Sequence, residues 1–301
     1  MICRVVNEDS VNFLKEYQGK EIDLTFLDPP FNQARTYRNH DDDMSPEKYW
    51  AWMTKISALI YDKSSDGAAI YFMQREKNTR WVMQTLEDAG WHYQSLIVWK
   101  KKTSAVPSNI RYGKHYQIIA YYTKGTKPRV FHKMRIDPPL LVTEKHKRKD
   151  GLYLTDVWDD IRELTSGYFA GKEPLRLETG ERAHKQQAPI RLLARILLSS
   201  TQVSDMVLDP FAGTGTTLSV AKQLQRNSIG VELDPINCQL IDERLACLRE
   251  SDDILKFRKD YRFTKNLDDI WVVKNKKEHS CMPVSRQEML LLEERKEFSS
   301  K

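Results

Sequence analysis

The sequence is short of cysteine, of glycine and of long apolar runs, and each shortage closes off a class of protein. Only Cys3, Cys238, Cys247 and Cys281 occur in 301 residues, none paired at metal-ligand or redox spacing. Buried thiols in a reducing compartment are expected, with no disulfide framework and no zinc. Twelve glycines and twelve prolines are too few for a low-complexity or collagen-like chain. No segment nears the roughly eighteen apolar residues of a membrane span, so no membrane partner is expected. The opening "MICRVVNEDSV" enters a strand-like pattern at once, without the basic and apolar regions of a secretory leader. Cytoplasmic, nucleoid-associated work is the expectation.

What is present is a globular balance of 40% hydrophobic and 30% charged residues. The length suits one large α/β domain with an insertion, or two modest domains. The formal charge is only +6, so its placement matters more than its size. Five basic residues and no acid lie between Trp99 and Tyr116, and eight basic residues against three acids lie between Lys127 and Asp150.

The hydrophobic periodicity alternates between strand and helix. Strands are expected at "CRVV", "IDLTFLD", "GAAIYFM", "YQSLIVWKK" and "HYQIIAYYTKG". Helices fall between them, one opening at Ser45 with Pro46 in its first turn and one closing at Gly90. The rhythm breaks over 127–180 and resumes with the helix "APIRLLARILLSST", the strand "MVLD", the helix "TTLSVAKQL" and the strand "SIGVELD". Such alternation implies a largely parallel sheet wrapped by helices.

Two Asp-Pro-Pro tripeptides stand out, "LDPPFNQ" from Leu27 and "IDPPLLV" from Ile136. Asp-Pro favours turns, so a turn is the default for both. The first ends a buried strand and carries an aromatic, Phe31. The second lies in the basic stretch and carries Leu140, which cannot stack as an aromatic does. Downstream, "DPFAGTGTT" runs from a strand into a helix, its glycines letting the backbone turn tightly beside a ligand. Glu232 ends the next strand, 23 positions after Asp209, where such folds place an acceptor for ribose hydroxyls.

Together "DPPF" at 28–31 and "DPFAGTG" at 209–215 resemble the DNA amino-methyltransferases, in the order of the permuted β group. The likeness extends over about 1–126 and 181–250. It implies a Rossmann-like S-adenosylmethionine-dependent methyltransferase fold: α/β, mostly parallel with an antiparallel strand, and helices on both faces. The halves would be a catalytic part at 1–126 and a cofactor part at 181–250, with a target-recognition insertion at 127–180 and a C-terminal extension from 251 to 301.

By the same resemblance, Asp28, Pro29, Pro30 and Phe31 are catalytic. S-adenosyl-L-methionine would be held by Asp9, Asp28, Asp209, Phe211, Ala212, Gly213, Thr214, Gly215, Thr216, Glu232, Leu233 and Ile236, the last on the adenine face. "AHKQQAP" is similar to the family's His-x-Thr-Gln-Lys-Pro segment but has Gln186 for Thr and Ala188 for Lys, so only Gln187 and Pro189 carry over. The implied substrate is N6 of a flipped adenine in double-stranded DNA, with N4 of cytosine, or a non-catalytic DNA-binding partner of the same fold, as alternatives. A cognate restriction endonuclease and a homodimer belong to the same set of expectations. The DNA-contact candidates are Lys101, Lys102, Arg111, Tyr112, Lys114, Arg129, Lys133 and Arg135.

Overall fold

The computed structural model describes residues 1–33, 42–103, 105–137, 149–164, 171–176, 179–180, 182–183 and 187–272. The "PPLLV" stretch of the second Asp-Pro-Pro segment, from Pro138 on, the tip of the loop after Phe31 and the "MLLLEERKEF" stretch lie outside these residues.

The chain runs β1 (Cys3–Asn7), α1 (Ser10–Glu16), β2 (Ile22–Leu27), α2 (Pro46–Lys63), β3 (Ser64–Arg75), α3 (Thr79–Asp88), β4 (His92–Lys100) and β5 (Tyr116–Thr123). Three two-residue strands follow, β6 (Arg135–Ile136), β7 (Leu152–Tyr153) and β8 (Val157–Trp158). Then come α4 (Ile190–Ser200), β9 (Met206–Asp209), α5 (Thr216–Gln223), β10 (Asn227–Glu232) and α6 (Pro235–Ala246).

The helix starts follow their caps. Asp9 accepts from the backbone N–H groups of Val11 and Asn12, and Ser45 accepts from Lys48 with Pro46 in the first turn. The eight-stranded sheet has the order β1-β10-β9-β2-β3-β5-β4-β8. All its pairings are parallel except those of β5, antiparallel to both β3 and β4. The expected antiparallel strand is therefore β5, joined to β4 by the loop at 101–115 rather than by a crossover helix.

Helices cover both faces. Leu24 and Phe26 of β2 pack with α4 and α5, while Ile22 and Leu27 pack with α1, α2 and α3. In α4, Leu192, Leu193, Leu197 and Leu198 are fully buried, each burial contributing roughly 1.5–3 kcal/mol. The beginning of the C-terminal extension is part of this core: Ile254, Tyr261 and Trp271 are buried with the α4 and α5 side chains.

Candidate active site

The connections diverge between β9 and β2. The chain leaves β2 through α2 to β3 on one side, and leaves β9 through α5 to β10 on the other. Parallel sheets open a crevice at such a switch point, beyond the carboxyl ends of the strands. Leu24 pairs with Val207 and Thr25 with Leu208, so β2 and β9 end together at the carboxyl edge, and Asp28 and Asp209 both open into one crevice. The cavity there is lined by both motifs: Asp28, Pro29 and Pro30 from one, Asp209 to Thr214 and Thr216 from the other. On the far side of β10, Asn7 pairs with Glu232, and the Asn7 side-chain amide donates to the Glu232 and Leu233 carbonyls at 2.9 and 3.0 Å. This stitching brings Glu8, Asp9 and Ser10 to the same cavity.

Asp28 keeps some surface open to the cavity but is otherwise surrounded by protein. Burial pushes its carboxyl well above the usual range, the Asp209 carboxylate adds to the rise, and Lys101 opposes it. No donor among the described residues hydrogen-bonds the Asp28 side chain or the Pro29 carbonyl. The Pro30 carbonyl, by contrast, accepts from the Tyr49 hydroxyl at 2.8 Å, which in turn accepts from the Gln74 amide at 2.9 Å. The turn is thus held through Pro30, leaving Asp28 and Pro29 as acceptors facing the crevice.

Asp209 plays a different part. Its carboxylate accepts from the Phe211 N–H at 3.1 Å and from the Thr217 hydroxyl, bracing the loop that follows. Burial raises its pKa to about 7 against those two bonds, with Glu232 adding to the rise. Glu232 accepts from the N–H of Gly213 at 2.8 Å and of Asp234 at 2.9 Å, and burial raises its pKa as well. Gly213 and Gly215 have φ of 54° and 68°, and a Cβ on Gly215 would lie 2.8 Å from Ile241. Arg244 of α6 donates to the Thr214 carbonyl at 2.7 Å and the Thr216 hydroxyl at 3.1 Å, and it is paired in turn with buried Asp252.

A family model described as DNA methylase, of the N6/N4 methyltransferases, matches residues 22–243. The chain belongs to the DNA methylase family. The methylase is 27% identical over 243 residues to the type II methyltransferase M.HpaI of Haemophilus parainfluenzae, covering 80% of this chain and 74% of that one. It is 26% identical over 249 residues to the DNA adenine methyltransferase YhdJ of Escherichia coli (strain K12), covering 76% and 78%. The crystal structure of an M1.HpyAVI–SAM complex shares the fold, with a TM-score of 0.55 at 24% identity over 81% of this chain and 99% of that one.

Most residues expected at the methylase site do meet there, and four of them do not line the cavity. Phe31 is buried, 5% exposed, and presents no face to it. Ile236 points outward from the first turn of α6, 45% exposed, while its neighbour Asn237 faces in. Pro189 is the N-cap of α4, and Ala188 and buried Gln187 line the cavity instead. Gly215 caps α5 behind the loop. Glu8, Phe26, Trp52 and Thr217 are lining residues that sequence patterns did not single out. Trp52 meets Phe211 edge to face at 5.5 Å, a contact between α2 and the cofactor loop that no local spacing announces.

The basic candidates divide by place. Arg129 sits at the opposite, amino edge of the sheet, 3.3 Å from Asp23 and also paired with Asp205, so it is a structural ion pair rather than a free phosphate contact. Lys133 and Arg135 follow on that side, close to the end of α4, with Arg135 4.0 Å above the Tyr153 ring. Lys101 is largely buried, and burial lowers its pKa against the carboxylates of Glu163, Glu76 and Asp28. Lys114 pairs with Glu76 at 3.0 Å. Lys102, Arg111 and Tyr112 are exposed in the loop between β4 and β5, on the carboxyl side of the sheet.

Among the described residues no helix is long and apolar enough to cross a membrane, and no cluster of three or more His, Cys, Asp or Glu is placed to hold a metal.

Proposed function

We propose that the methylase transfers a methyl group from S-adenosyl-L-methionine to the exocyclic N6 of an adenine flipped out of duplex DNA, at a specific sequence. The observation that carries this is a pair of acceptors at the switch point to which no described residue donates, the Asp28 carboxylate and the Pro29 carbonyl. An exocyclic amine is a poor nucleophile because its lone pair is delocalised into the ring. Two acceptors for its two N–H groups favour the pyramidal form and aim the lone pair at an electrophile. Asp28 orients, and the proton leaves after transfer.

The cavity fits the cofactor. Asp9, Asp28, Asp209 and Glu232 gather carboxylates in one partly apolar crevice, which suits a cation bearing an amine and ribose hydroxyls and repels a pyrophosphate. The M1.HpyAVI–SAM relative supports the same assignment. S-adenosyl-L-methionine supplies the methyl as a sulfonium electrophile. Glu232 and Asp9 would hold its ribose and adenine, with the 211–216 loop closing around it. A base inside a duplex is out of reach, so it must be extruded into the pocket. Stacking on Phe31 requires that ring to be uncovered, whereas Trp52 already faces the crevice.

Adenine is preferred because Asp stands at position 28 and because the relative YhdJ is named a DNA adenine methyltransferase. The same proposal includes a cognate restriction endonuclease, supported by the type II name of M.HpaI, and work on nucleoid DNA. The test is mass spectrometry of nucleosides from DNA of cells expressing wild type or Asp28→Ala. N6-methyladenine is expected in the first alone, with turnover of the variant down roughly a hundredfold or more and cofactor binding retained. N4-methylcytosine as the only product would overturn the choice of base, and unchanged turnover of the variant would overturn the role of Asp28.

A further inference from the structure

The loop between β4 and β5 is more ordered at its root, and more apolar at its tip, than an ordinary surface connection. At the root the Lys101 N–H donates to the His115 carbonyl at 2.8 Å and the Ala105 N–H to the Lys114 carbonyl at 2.9 Å. The Glu163 carboxylate accepts from the N–H groups of Lys102 and Thr103 at 2.8 and 2.9 Å. Further out, the Ser108 N–H donates to the Arg111 carbonyl at 3.1 Å. Gly113 is packed so closely that a Cβ would fall 2.0 Å from the Ala105 carbonyl oxygen. These bonds hold a finger, not a coil.

Its tip is apolar and open to water. Val106, Ile110 and Tyr112 are 91%, 86% and 95% exposed, more than any other large hydrophobic among the described residues. Holding three such side chains in water on a preformed support gains nothing for folding and points to a partner. The partner's charge is set by the flanks: Lys100, Lys102 and Arg111 are exposed, and no acid lies between Trp99 and Tyr116. Position decides the rest. The finger rises from the carboxyl edge, between the end of β4 and the start of β5, the edge onto which the crevice between β2 and β9 also opens.

We propose that the finger at 105–115 enters the DNA duplex, with Ile110 and Tyr112 filling the gap left by the flipped base and Arg111 holding a flanking phosphate. This rests on the DNA methyltransfer proposed above. Apolar wedges between base steps offset the stacking lost when a duplex is opened, and here the wedge rises from the same edge of the sheet onto which the pocket opens.

The test uses full-length protein and two duplex oligonucleotides carrying the modified site found by sequencing. In one the target base is paired, and in the other it faces an abasic position, so it is already free to leave the stack. The Ile110→Ala/Tyr112→Ala variant should lose at least about tenfold in kcat/KM on the paired duplex and change less than about threefold on the abasic one. Its thermal stability should match wild type, since the tip packs on nothing. With 2-aminopurine as the target base, the fluorescence rise on binding should shrink in the variant. Equal losses on both duplexes, or no loss on the paired one, would overturn the wedge. Wild-type protein inactive on all duplex DNA would overturn the methyltransfer itself, a distinguishable failure.

Discussion

Lys101 is the residue whose meaning changes most between sequence and structure. In a run of three lysines it looks like a phosphate contact, yet it is largely buried, and the carboxylates of Glu163, Glu76 and Asp28 favour its charge while Arg75 opposes it. Its effect on Asp28 has a definite sign. A nearby cation favours the ionised carboxylate, so Lys101 lowers a pKa that burial and Asp209 raise. In the proposed transfer Asp28 is ionised to accept an amine N–H, so the acid limb of the rate profile should follow its pKa. Lys101→Met should move that limb of kcat/KM to higher pH, with activity largely recovered on the alkaline side, and Lys101→Arg should leave it near the wild-type position. A profile that drops uniformly without moving would mean that Lys101 acts by contact with substrate or by folding instead.

Among the elements, many strands and helices are legible because buried strands are unbroken apolar runs and α2 starts at a recognisable cap, Ser45 with Pro46. The approach of Asp28 to Asp209 was legible only through the two motifs, since nothing local tells β2 to pair with a strand 180 residues away. Ile236 shows where register fails: one position on in the first turn of α6 is Asn237, and that is the residue facing the cavity. Nor does a buried arginine differ in sequence from a solvent-facing one. Arg244 is such a case, a helix residue that ties the cofactor loop to Asp252 of the C-terminal extension. Removing one partner of a buried ion pair costs about 3–5 kcal/mol, because the other charge stays buried alone. Asp252→Ala should therefore lower the Tm by roughly ten degrees. The double change Arg244→Met/Asp252→Leu should recover much of that loss yet still bind S-adenosyl-L-methionine more weakly in calorimetry, since the Thr214 carbonyl loses its donor. Full recovery of affinity would make the pair a matter of stability alone.

For the whole molecule, what matters is which edge of the sheet carries usable charge. At the amino edge Arg129 is neutralised by Asp23 and Asp205. At the carboxyl edge the crevice is lined with carboxylates, and the exposed cations stand around it on the finger, at Lys100, Lys102 and Arg111. In the proposed reaction this arrangement would draw a polyanion to the rim and keep it out of the pocket, while leaving a single uncharged base free to enter. Counterion release makes this measurable, because each phosphate contact adds about −0.9 to the slope of log affinity against log salt. Changing Lys100, Lys102 and Arg111 to Gln should flatten the slope for duplex DNA by roughly three. Lys133→Gln, on the opposite side of the sheet, should leave it as it is, and a larger effect there than at the finger would put the DNA on the wrong edge for Asp28 to reach its base.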